Sequence, residues 1–147
     1  MKVELHTHTS YSYDTKTSLR EIILRCQKNK IDAIAITDHN EIEGALRLQK
    51  IAPFVVIVGE EILTSQGEVV GLFLKRHIKP RLTMLATIQE IKRQGGLVYL
   101  PHPFDHTTRK TAADNKEIEK LIKYVDIVEI YNGRSVVASD NQRSLAF

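Results

Sequence analysis

The sequence predicts an α/β fold built on a parallel sheet covered by helices. Short runs rich in apolar and β-branched residues alternate along the chain with segments of helical periodicity. Those runs are apolar at nearly every position, the profile of strands buried on both faces. With 147 residues, 42% of them hydrophobic, the chain has enough material for one ordinary core, and residues 1–147 are read as a single domain.

The elements follow in order. Val3 to Leu5 starts a short strand that runs into His6. Ser18 with Glu21 three positions later is a capping box, and Leu19, Ile22, Ile23 and Cys26 then recur at helical spacing. Ala33 to Thr37 is a second strand, and Asn40 is placed to cap a second helix that runs to about Ile51, ahead of Pro53. Phe54 to Val58 is a third strand ending at Gly59; Val69 to Leu74 is a fourth, with Gly67 marking a hairpin-like turn. Thr83 to Gln94 reads as a helix closed by Gly95 and Gly96. Leu97 to Leu100, Asn115 to Lys123 and Ile127 to Tyr131 complete a strand, a helix and a sixth strand, and a last helical segment starts near Ser135.

Composition narrows the class. No apolar run approaches the roughly 20 residues needed to span a bilayer. Residues 1–6 (MKVELH) lack the apolar stretch of a secretory signal, so a cytoplasmic protein with no membrane partner is expected. The single cysteine, Cys26, lies in a helical stripe and reads as a small core residue. The net charge of +3 is mild, and the densest basic group, Lys75, Arg76 and Lys79, reads as a solvated loop.

Polar residues gather at the strand ends, where α/β folds place their chemistry. His6 and His8 follow the first strand, with Asp14 further on; Asp38 and His39 follow the second. Glu60 and Glu61 follow the third, Glu68 opens the fourth, His102 follows the fifth, and Glu129 and Asn132 belong to the sixth. Imidazoles and carboxylates without thiolates suit zinc, manganese or iron. His6 and His8, two apart on an extended strand, point the same way and reach one ion. Taken singly, each has a plainer reading: a chance histidine pair, a helix cap at Asp38 to Asn40, a solvated Glu60-Glu61 loop, a rigid turn at His102, a lysine partner for Glu129. His77 and His106 read as exposed.

The same pieces, in order, resemble the PHP family, named from its polymerase and histidinol phosphatase members. They are His6-Thr7-His8-Thr9 with Asp14, Thr37-Asp38-His39-Asn40, Gly59-Glu60-Glu61-Ile62, Pro101-His102-Pro103-Phe104 and Ile130-Tyr131-Asn132-Gly133-Arg134. The resemblance implies a distorted seven-stranded α/β barrel with two or three divalent metal ions at its carboxyl face. Carried over by position, His6 and His8 hold one ion, Glu61 bridges to a second bound by His102, and Asp14 and His39 serve a third. Glu61 takes the bridging place because an apolar residue follows it in the family pattern. Where many relatives carry a histidine early in the fourth strand this chain has Glu68, kept as a further ligand. The family pattern continues to a strand with an Asp-x-His pair that this sequence stops before. About six strands of a C-terminally incomplete barrel are therefore expected, with an open edge that invites pairing with a second copy.

The activity implied is hydrolysis of a phosphate monoester or nucleotide-like substrate by a metal-bound hydroxide. His39 is the candidate to protonate the leaving group, and Arg109 and Arg134 lie where they can clamp a phosphate bidentately. A nuclease or proofreading domain ranks lower, because the chain shows neither a strong basic stripe nor an aromatic platform. A non-catalytic metal-binding or interaction remnant is the reading from another class.

Overall fold

The computed structural model describes residues 1–103 and 115–132. Arg109, Arg134, His106 and the helical segment expected from Ser135 lie outside the described residues.

Among the described residues six strands form one sheet in the order of the chain: β1 (Val3–Thr7), β2 (Ala33–Ile36), β3 (Val55–Thr64), β4 (Gly67–Leu72), β5 (Leu97–Leu100) and β6 (Ile127–Val128). Helices α1 (Leu19–Asn29), α2 (Glu43–Ile51), α3 (Met84–Arg93) and α4 (Asn115–Leu121) connect them, with a 3-10 turn at Ile122–Tyr124. The sheet curls into a half-barrel: His6 on β1 and Glu129 just past β6 approach to 3.2 Å across a separation of 123 residues.

The sheet is mixed, which corrects the all-parallel expectation. β4 runs antiparallel to both β3 and β5, while β1, β2 and β3 pair in parallel, as do β5 and β6. The cause is local. Only Ser65 and Gln66 separate β3 from β4, far too few for the crossover a parallel pair needs. Gly67 takes φ +120° in that turn, and Thr64 Oγ1 donates to the Gly67 carbonyl at 2.6 Å. β3 is also longer than expected, so Gly59, Glu60 and Glu61 lie inside a strand.

The capping box forms as the sequence predicts: Ser18 Oγ accepts from the Glu21 amide at 3.2 Å, and Glu21 Oε2 accepts from the Ser18 amide at 3.3 Å. Asn40 does not cap α2. It sits at φ +52°, and its Oδ1 accepts the Leu63 amide at 2.9 Å, tying the β2 exit to β3. Ile42 is the N-cap and supplies no side-chain acceptor; Glu41, one residue earlier, accepts the amides of Ile42 and Glu43 with its Oε1 at 2.8 and 2.9 Å. α3 is closed by Gln94 at its C-cap, and Gly95 follows at φ +80°, the left-handed position glycine favours.

Strand periodicity sorts side chains into two layers. Ile34, Ile36, Val56, Val58, Ile62, Val69, Val98 and Leu100 face the helices in the main core, where Ile36, Leu48 and Ile62 are wholly buried. Ala35, Ile57, Val70, Leu72 and Tyr99 form a second, smaller cluster on the concave face, joined by Leu5 and Ile127. His39, Glu61, Glu68 and Glu129 continue that inner parity, whereas His6 reaches the same side through a register irregularity in β1 between Glu4 and Thr7.

Candidate metal centre

The inner parity places one carboxylate at the middle of the mouth. From Ile57 the positions facing inward are 59 and 61, so Glu61 enters the concavity while Glu60 turns outward. Glu61 is fully buried, and its Oε2 lies 3.2 Å from His6 Nε2, 2.9 Å from His8 Nε2 and 3.4 Å from His39 Nδ1. Its Oε1 lies 2.9 Å from His102 Nε2. Four imidazoles, one within β1 and three from the exits of β1, β2 and β5, thus share a single carboxylate.

Two more acids stand around them. Asp14 lies 3.0 Å from His8 Nδ1 and 3.9 Å from His39 Nε2. Glu68, on the inner face of β4, lies 3.6 Å from His39 Nδ1 and 3.8 Å from His102 Nε2. Three overlapping groups result, each with its nitrogen and oxygen donors within 4.8 Å of one another: His6, His8 and Glu61; His8, Asp14 and His39; and His39, Glu61 and Glu68. All seven residues expected as ligands therefore converge, and His39 faces carboxylates with both ring nitrogens.

The surrounding side chains hold this arrangement. Thr9 is buried and donates its amide to Asp38 Oδ1 at 2.6 Å and its hydroxyl to Asp38 Oδ2 at 2.7 Å, clamping the β1 exit to the β2 exit. The His39 amide donates to Ser12 Oγ at 3.2 Å. Tyr13, 80% exposed, stacks on His39 with ring centroids 4.7 Å apart. Tyr99 meets His6 edge-on at 5.9 Å. Glu60, on the outer face, accepts the Ile78 amide at 3.0 Å and contacts His77 Nδ1 at 2.8 Å, so it braces a connecting segment.

The cluster is electrostatically tense. Burial works to lower the His6 pKa, yet the hydrogen bonds and charges of Glu129 and Glu61 outweigh it and push it up to about 10. His8 is raised in the same way, against its burial, by Glu61 and Asp14. His39 goes down, because burial there exceeds the pull of Glu61. Glu61 itself is held well below the carboxylate range: burial opposes this, but hydrogen bonds from His102, His6 and His8 prevail. Divalent cations and protons stabilise such a set in the same way, so they compete for it.

One contributor was absent from the expected ligands. Glu129 contacts His6 Nδ1 and accepts the His102 amide at 2.7 Å and Asn132 Nδ2 at 3.0 Å. Its signal in the sequence was the alternation from Ile127 to the second position onward, which turns Glu129 to the inner face.

Fold and mouth together define an α/β half-barrel with a histidine- and carboxylate-lined site at its strand ends. The chain belongs to the PHP domain family, whose family model matches residues 4–139. Two uncharacterized proteins of Methanocaldococcus jannaschii are similar to it. One is 40% identical over 71% of this chain and 68% of that protein; the other is 36% identical over the whole chain and 59% of that protein. Among solved structures, a two-domain Bacteroides vulgatus protein containing a predicted PHP-like metal-dependent phosphoesterase superposes with a TM-score of 0.75 at 20% identity. It covers 99% of this chain, which spans 48% of it. An amidohydrolase from Chromobacterium violaceum, with bound sulfate and no metal, superposes at 0.72 with 15% identity, over 97% of this chain and 81% of its own. These two likenesses are of fold.

Proposed function

We propose that this chain is a metal-dependent phosphoesterase acting on a small phosphorylated substrate. The observation that carries the reading is Glu61: a wholly buried carboxylate facing four imidazole nitrogens at 2.9–3.4 Å. The donor chemistry fits divalent ions, because imidazole and carboxylate groups without thiolate suit zinc, manganese and iron. The family membership and the description of the Bacteroides neighbour agree with it.

In this proposal His6, His8 and Glu61 hold one ion, and His39, Glu61 and Glu68 with His102 hold a second. His8, Asp14 and His39 are the donors for a third. Bound ions supply a water of near-neutral pKa and neutralise phosphate oxygens. The chain's own contribution is placement: the Thr9–Asp38 clamp fixes the segments bearing His8 and His39, and Asn40 ties that exit to β3. His39, with both nitrogens turned to carboxylates, serves here as a ligand in preference to a proton donor.

The test combines a metal count with turnover of p-nitrophenyl phosphate and nucleoside monophosphates in manganese. Two or more ions per chain, with phosphate release abolished by chelation, is the expected result. Ions bound in that number without turnover of any ester would refute the enzyme, and one ion or none would favour a non-catalytic module.

A further inference from the structure

Glu129 stands beside the cluster without joining any of its donor groups. Among the described residues, none of the three sets of convergent donors includes it. It is nonetheless withdrawn from solvent, with its side chain 10% exposed, and among the described residues it bonds to His6, His102, Asn132 and the Tyr99 hydroxyl.

Its two oxygens have different work. Oε1 lies 3.2 Å from His6 Nδ1. Oε2 accepts the His102 backbone amide at 2.7 Å and Asn132 Nδ2 at 3.0 Å. His102 is at φ +30°, in a region L residues seldom occupy, between Pro101 and Pro103. A charged acceptor on its amide compensates that conformation and keeps Nε2 aimed at Glu61, 2.9 Å away. For His6 the consequence is chemical. A carboxylate can only accept, so in the metal-free site both nitrogens of His6 carry protons, Nδ1 toward Glu129 and Nε2 toward Glu61; with an ion bound, Glu129 keeps the Nδ1 proton in place and Nε2 is the nitrogen freed for the metal.

We propose that Glu129 is a positioning residue that sets the tautomer of His6 and the backbone of His102, so that both imidazoles present Nε2 to the ions. This rests on the metal-dependent reading above. It also explains how the half-barrel holds one site across its opening: the carboxylate just past β6 grips the ligand on β1.

The decisive variant is Glu129→Gln, which keeps size and shape. An amide oxygen can serve only one side. With the carbonyl kept on the His102 amide and Asn132 Nδ2, the amide N–H turns onto His6 Nδ1, and the Tyr99 hydroxyl, which can donate or accept, keeps its bond to residue 129. That nitrogen must then accept, and the proton goes to Nε2, the atom meant for the ion.

Nitrogen NMR of the imidazoles, zinc affinity and thermal unfolding read this out. Wild type is expected to show a proton on His6 Nδ1 with and without zinc. E129Q is expected to fold but melt below the wild type, since the charged pair with His6 is lost, to lose the Nδ1 proton, and to bind zinc about 10–100-fold more weakly. Retention of the Nδ1 proton and of full zinc affinity in E129Q overturns the proposal. Should E129Q not fold, a wild-type His6 bare at Nδ1 overturns it equally. A wild type that binds no zinc sinks the metal-dependent reading instead, while the metal-free comparison of His6 still judges Glu129.

Discussion

Gly44→Ala separates helix propensity from the packing that supports the site. On propensity alone, alanine gains about 1 kcal/mol over glycine inside a helix. Gly44 is the second residue of α2 and is buried. An added Cβ would lie 2.3 Å from Asp38 Oδ2 and 2.7 Å from Thr9 Oγ1. Those two oxygens are hydrogen-bonded to each other at 2.7 Å, so the methyl group drives into the clamp between the β1 and β2 exits. Overpacking of this kind costs about 1–3 kcal/mol. Weakening a bond to a buried carboxylate costs about as much again. Against a gain of about 1 kcal/mol, a net loss of about 1–5 kcal/mol is expected. Urea unfolding of the metal-free protein should show a lower midpoint at unchanged slope, and zinc affinity should fall because His8 and His39 ride on the displaced segments. A G44A protein as stable as wild type, with undiminished zinc affinity, would show that the contact imposes no constraint.

Two further outcomes follow from the same structure. In metal-free protein the His6–Glu129 pair should make stability depend on pH in a defined window. The His6 pKa is raised from 6.5 to about 10, so its contribution is complete below 6.5 and is lost as pH climbs toward 10. The Glu129 pKa, despite burial, is drawn from 4.5 to about 2, chiefly by the His6 hydrogen bond, so its contribution is complete above 4.5 and is lost as pH falls toward 2. Chelator-treated wild type should therefore exceed His6→Leu in stability most between 4.5 and 6.5, by up to about 5 kcal/mol, and a gap constant in pH would refute the assignment. Asn40→Ala should cost about 2–4 kcal/mol in denaturant unfolding, from left-handed strain and a stranded Leu63 amide. Asn40→Gly should recover only the backbone share; full recovery by glycine would mean the Leu63 hydrogen bond contributes nothing.

What the sequence disclosed follows physical range. The Ser18 box, the α3 ending at Gly95 and the turn before Gly67 depend on neighbours within four residues, and each appears where composition placed it. Asn40 misled because asparagine caps helices and also tolerates positive φ, and only a partner 23 positions away decides between them. The parallel sheet misled because an apolar run states burial on both faces and says nothing of direction; β4 is nearly as buried as β2, a strand of the parallel part of the sheet. The glutamate pair at 60 and 61 was settled by family pattern, though strand alternation alone divides an inner from an outer carboxylate once residues 55–64 are known to be one strand. Glu129 escaped for the opposite reason: its residue type suggests a surface ion pair, and its partner lies at the other end of the chain.

The reversal of β4 also accounts for the position of the site. β3 pairs with β2 only from Val55 to Val58, where β2 ends at Ile36. From Gly59 to Thr64 it continues beyond that parallel partner, and β4 supports the overhang through an antiparallel ladder. The change of partner falls at Gly59, whose absent Cβ would meet the Ile36 carbonyl at 3.0 Å and the Gly71 carbonyl at 3.1 Å. Such close approach from two neighbouring strands excludes a side chain there. The overhang lifts Glu61 past the end of β2 until it bridges to His39. A strand stopping at Val58, as in a plain parallel layer, would leave its carboxylates on a mobile loop at the rim. Held in a two-sided ladder, Glu61 reaches the axis of the half-barrel, and histidines from β1, the β2 exit and the β5 exit close on it. The antiparallel hairpin is thus what puts a rigid carboxylate at the centre of the imidazoles, and it brings Glu68 to the same face.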